Sequence, residues 1–122
     1  MDQAIQRFGR VDIVVNNAGI IQVGPMSTTT VEDLANALDV MFWATLYPTL
    51  AVLPQMRAQR SWHVVNNTSI GGMVSVPHLL PYTCAKFATV GISEGLRAEL
   101  GQEGIHVTPA AGSCQRLWWS PC

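Results

Sequence analysis

The sequence predicts an α/β fold in which helices pack on the faces of a parallel, doubly wound sheet. Segments with helical apolar period alternate with short β-branched segments, in the order helix, strand, helix, strand, helix, strand. Strands separated by a helix need crossover connections, which make neighbouring strands parallel. The chain has 122 residues, of which 48% are hydrophobic and 12% charged, so it can form one packed domain but not two.

The chain opens with a short helix and a strand. Residues 1–8 show helical period, and Gly9 stands where such a helix ends. Residues 11–15 are a β-branched run with one charge, which is typical of a strand buried on both faces. We therefore expect both faces of this strand to be covered.

A longer helix follows a loop rich in Gly, Pro, Ser and Thr. Thr29 and Thr30 are each followed three residues later by an acidic residue, which is the spacing of a capping box. An apolar stripe then continues to about Arg57. Pro48 and Pro54 are expected to kink or divide this helix, because proline lacks the N–H that an inner helical turn needs.

The second half of the chain repeats the alternation of strand and helix. Residues 62–66 form the second strand candidate. A helix is predicted from Tyr82 to about Leu100, with Gly101 after its end, and residues 106–108 then begin a third strand. These elements complete the parallel sheet.

Two polar loops follow the first two predicted strands. In open α/β sheets, binding sites lie outside the carboxyl ends of the strands. We therefore expect both loops to line one site. They consist of Asn16, Asn17, Ala18 and Gly19 after the first strand, and of residues 68–72 after the second.

Three residues near these loops carry chemistry. Tyr82 and Lys86 are four apart on a predicted helix and so project from one face, where the ammonium favours the phenolate and lets Tyr82 transfer a proton. Ser69 lies at the mouth of the same sheet and can donate to a carbonyl oxygen on which negative charge develops. Each signal alone is weak, since Y-x-x-x-K pairs arise by chance and most serines at strand ends only form turns.

Together these residues resemble the short-chain dehydrogenase/reductase family. Its members carry N-N-A-G after the fourth strand, and a serine separated by twelve residues from the tyrosine of Y-x-x-x-K. Residues 16–19, Ser69, Tyr82 and Lys86 match all of these elements at that spacing. The resemblance runs from about residue 8 to residue 108, and residues 12–19 and 81–100 are similar to a ketoacyl-reductase-like branch.

The resemblance implies a partial Rossmann-type domain that works as an oxidoreductase. Residues 1–108 would be its central part, and residues 109–122, with two Trp and two Cys, an atypical tail outside the fold. The implied reaction is reversible hydride transfer between NAD or NADP and a small-molecule carbonyl or secondary alcohol. The parent domain is expected to form a homo-oligomer.

The resemblance also assigns a role to each matching residue. Tyr82 would be the general acid/base, Lys86 would hold the nicotinamide ribose, and Ser69 would position the substrate carbonyl. The cofactor cleft would be lined by Asn16, Asn17, Ala18 and Gly19, together with Tyr82 and Lys86.

The chain departs from the family pattern at two further points. It has no counterpart of the glycine-rich turn that binds the cofactor pyrophosphate with a helix N-terminus, so we expect the isolated chain to bind the cofactor weakly and to be inactive. Met41 stands where the family has an Asn that supports a water-linked proton path to the lysine, and a thioether cannot donate to such a path. The alternative interpretation is that Met41 is a core residue, because it continues the stripe of Leu34 and Leu38.

Charge and composition exclude several classes of function. The 7 basic and 8 acidic residues give a net charge of −1 without a basic run, which argues against a nucleic-acid partner. No uninterrupted apolar run approaches the roughly 20 residues that span a bilayer, and no signal segment opens the chain, so we expect no membrane contact. Three cysteines and three histidines without metal-ligand spacing predict no metal site and a reduced, cytoplasmic location.

Two alternative functions stay open at the level of sequence. The chain could be a non-catalytic interaction fragment, because its two long helices resemble those through which family members form dimers. It could also belong to the related epimerase/dehydratase group, which shares Y-x-x-x-K. The N-N-A-G tetrapeptide of residues 16–19 argues against that group.

Overall fold

The computed structural model describes residues 2–59 and 62–111, which fold around a three-stranded parallel sheet with the strand order β1-β2-β3. In the register of the sheet, Val14 lies opposite Val64, and Val64 lies opposite Val107. The predicted α/β class with a parallel sheet is confirmed. The strands are β1 (Ile13–Asn16), β2 (Trp62–Asn67) and β3 (Ile105–Ala110).

Four helices connect and flank these strands. Two of them, α3 and α4, are long and pack against the sheet. Short 3-10 turns cover Met26–Thr28, Ile70–Gly72 and Gly101–Glu103. The helices are α1 (Asp2–Phe8), α2 (Val31–Leu38), α3 (Ala44–Gln59) and α4 (Leu80–Leu100).

The helix ends follow from local chemistry. Gly9 has a φ of 78°, a conformation that glycine adopts without a steric penalty, and its N–H donates to the carbonyl of Ile5 at 2.8 Å. Of the two predicted capping boxes, the one at Thr30 forms. Its hydroxyl accepts from the N–H of Asp33, whose carboxylate accepts from the N–H of Thr30 at 2.9 Å.

The long central helix is interrupted at a place that the sequence did not predict. Helix α3 runs through Pro48 and Pro54, so of the two predicted effects, a kink or a division, the division is wrong. Packing of its inner face on the sheet holds the helix together across both prolines. The interruption lies earlier, in a π-helical turn over Asp39–Trp43, where the N–H of Ala44 reaches the carbonyl of Asp39.

The core consists of two apolar clusters. The larger one lies between the sheet and the helices, and the smaller one joins α2 and the π-helical turn to α4, with Tyr82 packed at its edge. Met41 is 1% exposed in this smaller cluster, which supports its interpretation as a core residue. The larger cluster contains Val14, Val52, Met56, Trp62, Val64, Leu100, Ile105 and Val107, and the smaller one Ala37, Met41 and Ala85.

Strand β1 is covered on one face only. Val14 is 8% exposed, but Ile13 and Val15, which point to the other face, are 60% and 62% exposed. The prediction of a strand buried on both faces is therefore wrong for the described residues. Helices α3 and α4 supply one layer, and none of the described helices supplies the second.

The carboxyl-terminal boundary and the long helix also differ from expectation. Strand β3 pairs through Ala110, so the predicted boundary between residues 108 and 109 falls inside the sheet. The rest of the predicted tail, residues 112–122, lies outside the described residues. The helical stretch Val31–Gln59 is long and apolar enough to cross a membrane by length and composition alone, although the fold uses its inner face as a layer on the sheet.

Candidate active site

The carboxyl end of β2 and the first turns of α4 meet at one edge of the sheet. Ser69 follows β2 and begins the short turn Ile70–Gly72, and its Oγ accepts from the N–H of Gly71 at 3.1 Å. Its hydroxyl proton has no acceptor among residues 2–59 and 62–111, so Ser69 can donate a hydrogen bond to a bound molecule.

Gly71 lets Tyr82 approach Ser69 closely. A Cβ atom built on Gly71 would lie 2.9 Å from Cε1 of Tyr82 and 3.6 Å from Oγ of Ser69. The phenol ring and the serine hydroxyl therefore flank the same small space. The structure brings these two predicted residues to the same side of the sheet.

Lys86 lies one helical turn after Tyr82 and is almost completely buried, with 4% of its surface exposed. Its Nζ donates to the backbone carbonyl of Asn67 at 2.7 Å and stands 5.7 Å from the centre of the Tyr82 ring. Burial lowers the pKa of the Lys86 ammonium, because removal from water disfavours the charged form. No described carboxylate forms an ion pair with Lys86.

Gly19 and Met41 form the wall opposite this lysine. A Cβ atom on Gly19 would lie 3.9 Å from Nζ of Lys86 and 3.8 Å from Sδ of Met41. The side chain of Met41 thus lines the lysine site with a thioether, which is only a weak acceptor. The ammonium keeps hydrogen-bonding capacity beyond Asn67, since it carries three N–H groups.

The predicted cofactor residues divide into two groups in the structure. The amide of Asn16 points into the fold, where its Nδ2 donates to Oδ1 of Asn66 at 2.8 Å and to Oγ1 of Thr49 at 3.2 Å. The amide oxygen of Asn17 accepts from Nδ2 of Asn67 at 2.7 Å, near the surface. Ala18 and Gly19 are exposed, and Gly19 is the member of the group that lies beside Lys86.

The lysine site fits the ribose part of a nicotinamide cofactor. A buried ammonium with spare N–H groups suits vicinal hydroxyls, and the missing Cβ of Gly19 leaves room beside it. Lys86 and the backbone of residues 18–19 are the groups that would hold the cofactor there. A glycine-rich phosphate loop does not occur in the described part of the chain.

Sequence reasoning missed a row of buried polar side chains beneath the site. Asn66 and Ser93 are fully buried and bonded to each other, and hydroxyls in α3 and α4 bond to carbonyls one turn earlier. The signal was available, because polar residues recur four apart on the inner faces of both helices. These pairs are Thr45 with Thr49 and Thr89 with Ser93.

The histidines do not form a site with the cysteine of α4. His63 and His106 lie side by side on β2 and β3, with ring centres 5.9 Å apart, and His78 lies in the loop before α4. Over the described ranges no group of three or more His, Cys, Asp or Glu residues could hold a metal ion. Cys84, which lies on α4 between Tyr82 and Lys86, is exposed.

Comparison with known proteins adds independent information. A family model described as "short chain dehydrogenase" matches residues 1–114. An oxidoreductase of Botryotinia fuckeliana, BOA17, is 35% identical over 94% of this chain and 42% of its own length. A short-chain dehydrogenase from Streptomyces avermitilis shares 40% identity over 87% of this chain and 40% of its own, with a TM-score of 0.83.

A second solved structure was obtained with ligands. The gluconate 5-dehydrogenase of Burkholderia cenocepacia, in complex with NADP and tartrate, has a TM-score of 0.84 and 27% identity. The alignment covers 90% of this chain and 43% of that one. For eight curated relatives, this chain spans 33% to 46% of the relative's own length.

Proposed function

This chain belongs to the short-chain dehydrogenase family, and from that premise we propose that it carries the reaction centre of an NAD(P)-dependent oxidoreductase. The reaction is reversible hydride transfer between the nicotinamide and a carbonyl or secondary alcohol. The observation that carries the proposal is the meeting of Ser69, Tyr82 and Lys86 at one edge of the sheet.

Each residue has a role that its position supports. In the direction of reduction, the substrate carbon gains a hydride and its oxygen gains the proton of the Tyr82 hydroxyl. Ser69 donates a hydrogen bond to that oxygen while negative charge develops on it. Lys86 supplies the nearby positive charge that stabilises the phenolate left on Tyr82, and the low polarity around the buried ammonium strengthens this attraction.

The cofactor is NAD or NADP, and when bound it supplies the hydride acceptor or donor. Support comes from the lysine site, whose spare N–H groups suit ribose hydroxyls, and from the related dehydrogenase that was solved with NADP.

The substrate is a small molecule. A cavity of about 340 Å³ has Pro81, the residue before Tyr82, in its wall, although Ser69, Tyr82 and Lys86 are not among the residues that line it. Its walls also include the loop after β1 and the start of α2. The charge of −1 and the lack of a basic run support neither a nucleic-acid partner nor an anionic surface as the target.

A homo-oligomer is the second part of the proposal. Trp43, at the end of the π-helical turn, and Tyr47 on α3 stack with ring centres 5.3 Å apart, and Leu50 on α3 and Phe87 on α4 are also exposed. Exposed apolar side chains in this number support an interface between copies. The same surface supports the alternative of a non-catalytic interaction fragment, in which these helices would be the functional part. We further propose a cytoplasmic location.

The test is a chimera in which residues 2–111 replace the matching segment of the Streptomyces avermitilis dehydrogenase. We expect NADP-linked or NAD-linked turnover with a panel of carbonyls and alcohols. Tyr82→Phe should reduce kcat by roughly 100-fold or more, because only the proton-transfer group is lost, and leave cofactor affinity nearly unchanged. Tyr47→Phe is the matched control, since Tyr47 is the only other tyrosine and lies on the surface. Near-normal kcat in the Tyr82→Phe chimera would refute the proposal.

A further inference from the structure

Helix α4 is tied to β2 at two neighbouring residues of the strand. Nζ of Lys86 donates to the backbone carbonyl of Asn67 at 2.7 Å, and Nδ2 of Asn66 donates to Oγ of Ser93 at 2.8 Å. Ser93 follows Lys86 by seven residues, so the two anchor points lie about 10 Å apart along the helix. A helix held at one point can pivot, whereas a helix held at two separated points cannot.

The hydrogen bonds around Ser93 have a defined direction. Its hydroxyl donates to the carbonyl of Thr89 at 2.6 Å, which leaves its lone pairs for the amide of Asn66. The oxygen of the same amide accepts from Asn16 at 2.8 Å. Asn66 therefore has one possible orientation, and it connects β1, β2 and α4.

Burial of the contact between Asn66 and Ser93 costs free energy of desolvation. Asn66 and Ser93 are both 0% exposed, and polar groups lose their bonds to water when a protein folds. Apolar side chains of similar size would fill the same space without that cost. Unlike an apolar contact, a fully hydrogen-bonded polar contact allows only one position of the helix. If the helix slid or rotated, buried donors would lose their acceptors.

We propose that Ser93 is a positioning residue, which acts through Asn66 to fix α4 against β2 and so holds Lys86 and Tyr82 in place relative to Ser69. The catalytic relevance of this role rests on the proposed function, since Tyr82 and Lys86 sit on α4 and Ser69 follows β2. The tie itself is a property of the fold and can be measured without turnover.

The experiment uses the fact that Lys86 is the only lysine in the chain. We would label the 122-residue protein with lysine carrying 13C at Cε and follow its single resonance through a pH titration at low protein concentration. In wild type the pKa of Lys86 should lie below the usual lysine value, because the ammonium is buried. In Ser93→Ala it should rise toward the usual value by roughly half a unit or more, because a loosened helix admits water to the site.

Two variants separate positioning from a general loss of structure. Ser93→Thr keeps the hydroxyl and should restore the wild-type titration. Thr83→Val is the matched control, because Thr83 is also buried in α4 near Lys86, but its hydroxyl has no partner among the described residues. It should leave the titration unchanged.

Several results would overturn the proposal. These are a wild-type resonance with the usual lysine pKa, an unchanged titration in Ser93→Ala, or an equal shift in Thr83→Val. If Ser93→Ala does not fold, Ser93→Cys takes its place, since it keeps the volume and weakens the acceptor. An unchanged titration in Ser93→Cys would count against the proposal equally. The titration contains no cofactor or substrate, so its failure is distinct from a failure of the turnover assay.

Discussion

The two faces of the sheet differ sharply in how well they are covered. On the face toward α3 and α4, Val64 is fully buried, whereas Val15 on the opposite face of the neighbouring strand is 62% exposed. Parallel sheets in soluble proteins are normally covered on both faces, and apolar side chains on both faces of β1 fit that rule. The apolar side chains on both faces of β1 are therefore typical of a sheet with a helical layer on each face, and the described residues provide one of these layers.

The proposed reaction centre lies on the covered side of the sheet. Lys86 and Tyr82 belong to α4, which packs on the covered face, and Lys86 is bonded to the end of β2. The centre can therefore form without the second layer. Binding of the cofactor phosphates has no comparable support, because a glycine-rich loop does not occur in the described ranges.

Matched valine variants should give the largest contrast between the faces. Val64→Ala should lower the free energy of unfolding by about 2–3 kcal/mol, because it removes buried methyl groups and leaves a cavity. Val15→Ala should change it by less than about 0.5 kcal/mol, since an exposed side chain buries little area. Urea unfolding of both variants measures the contrast. Equal costs would show that the second face is also buried in solution.

On the covered side of the sheet, two glycine-to-alanine variants should change stability in opposite directions. A Cβ atom on Gly72 would lie 2.7 Å from the carbonyl of Lys86, so Gly72→Ala should destabilise the chain by about 1–3 kcal/mol. Gly91 in α4 has no atom within 4 Å of such a Cβ, and Gly91→Ala should stabilise by about 0.5–1 kcal/mol through helix propensity. Thermal unfolding tests both. A neutral Gly72→Ala would mean that α4 and the turn after Ser69 are not in close contact.

The pH dependence of stability should report the burial of Lys86. Its pKa is lowered by burial, so between that value and the ordinary 10.5 the unfolded chain binds more protons than the folded chain. The wild type should therefore gain stability relative to Lys86→Met as the pH rises through this window. Unfolding curves at several pH values measure the difference. If the free energy of unfolding changed with pH in the same way in both proteins, the Lys86 ammonium would be exposed to water rather than buried.

The smallest effect on stability is expected for a variant on the uncovered face of the sheet, opposite α3 and α4. Val15→Lys should change the free energy of unfolding by less than about 0.5 kcal/mol, because the side chain is exposed. The same change should reduce self-association of the isolated chain, since a charge on an exposed strand blocks pairing and apolar contact. Sedimentation velocity of the two proteins tests this. Unchanged association would show that the associating surface lies elsewhere, and the exposed pair of Trp43 and Tyr47 would be the next candidate.

Much of the fold could be predicted because the relevant signals are local. Gly9 ends α1, Thr30 caps α2, and residues 17–19 and Ser69 follow β1 and β2 as expected. The helix ends depend on neighbouring residues in the sequence. The spacing of the family motif adds which distant residues lie together, and this does not follow from the apolar period of helices and strands.

The predictions that failed concern contacts between elements. The π-helical turn places the side chain of Met41 against Gly19, and the hydroxyl of Thr45 donates to the backbone carbonyl of Met41. The helix sequence alone does not predict the contact with Gly19, because Gly19 belongs to another element. Burial of β1 on both faces was inferred from composition, but burial depends on whether a second layer is present. The contact between Asn66 and Ser93 was missed because periodicity does not show which helix face meets which strand.

The central claim is that the described residues hold the reaction centre and lack the support for cofactor phosphates. Titration of NADPH with the isolated 122-residue protein, followed by nicotinamide fluorescence, tests it most directly, with the chimera as the positive control. We predict no saturation by the isolated chain up to about 1 mM and saturation of the chimera in the micromolar range. Micromolar affinity of the isolated chain would contradict the claim, because it would show that these residues bind the whole cofactor by themselves.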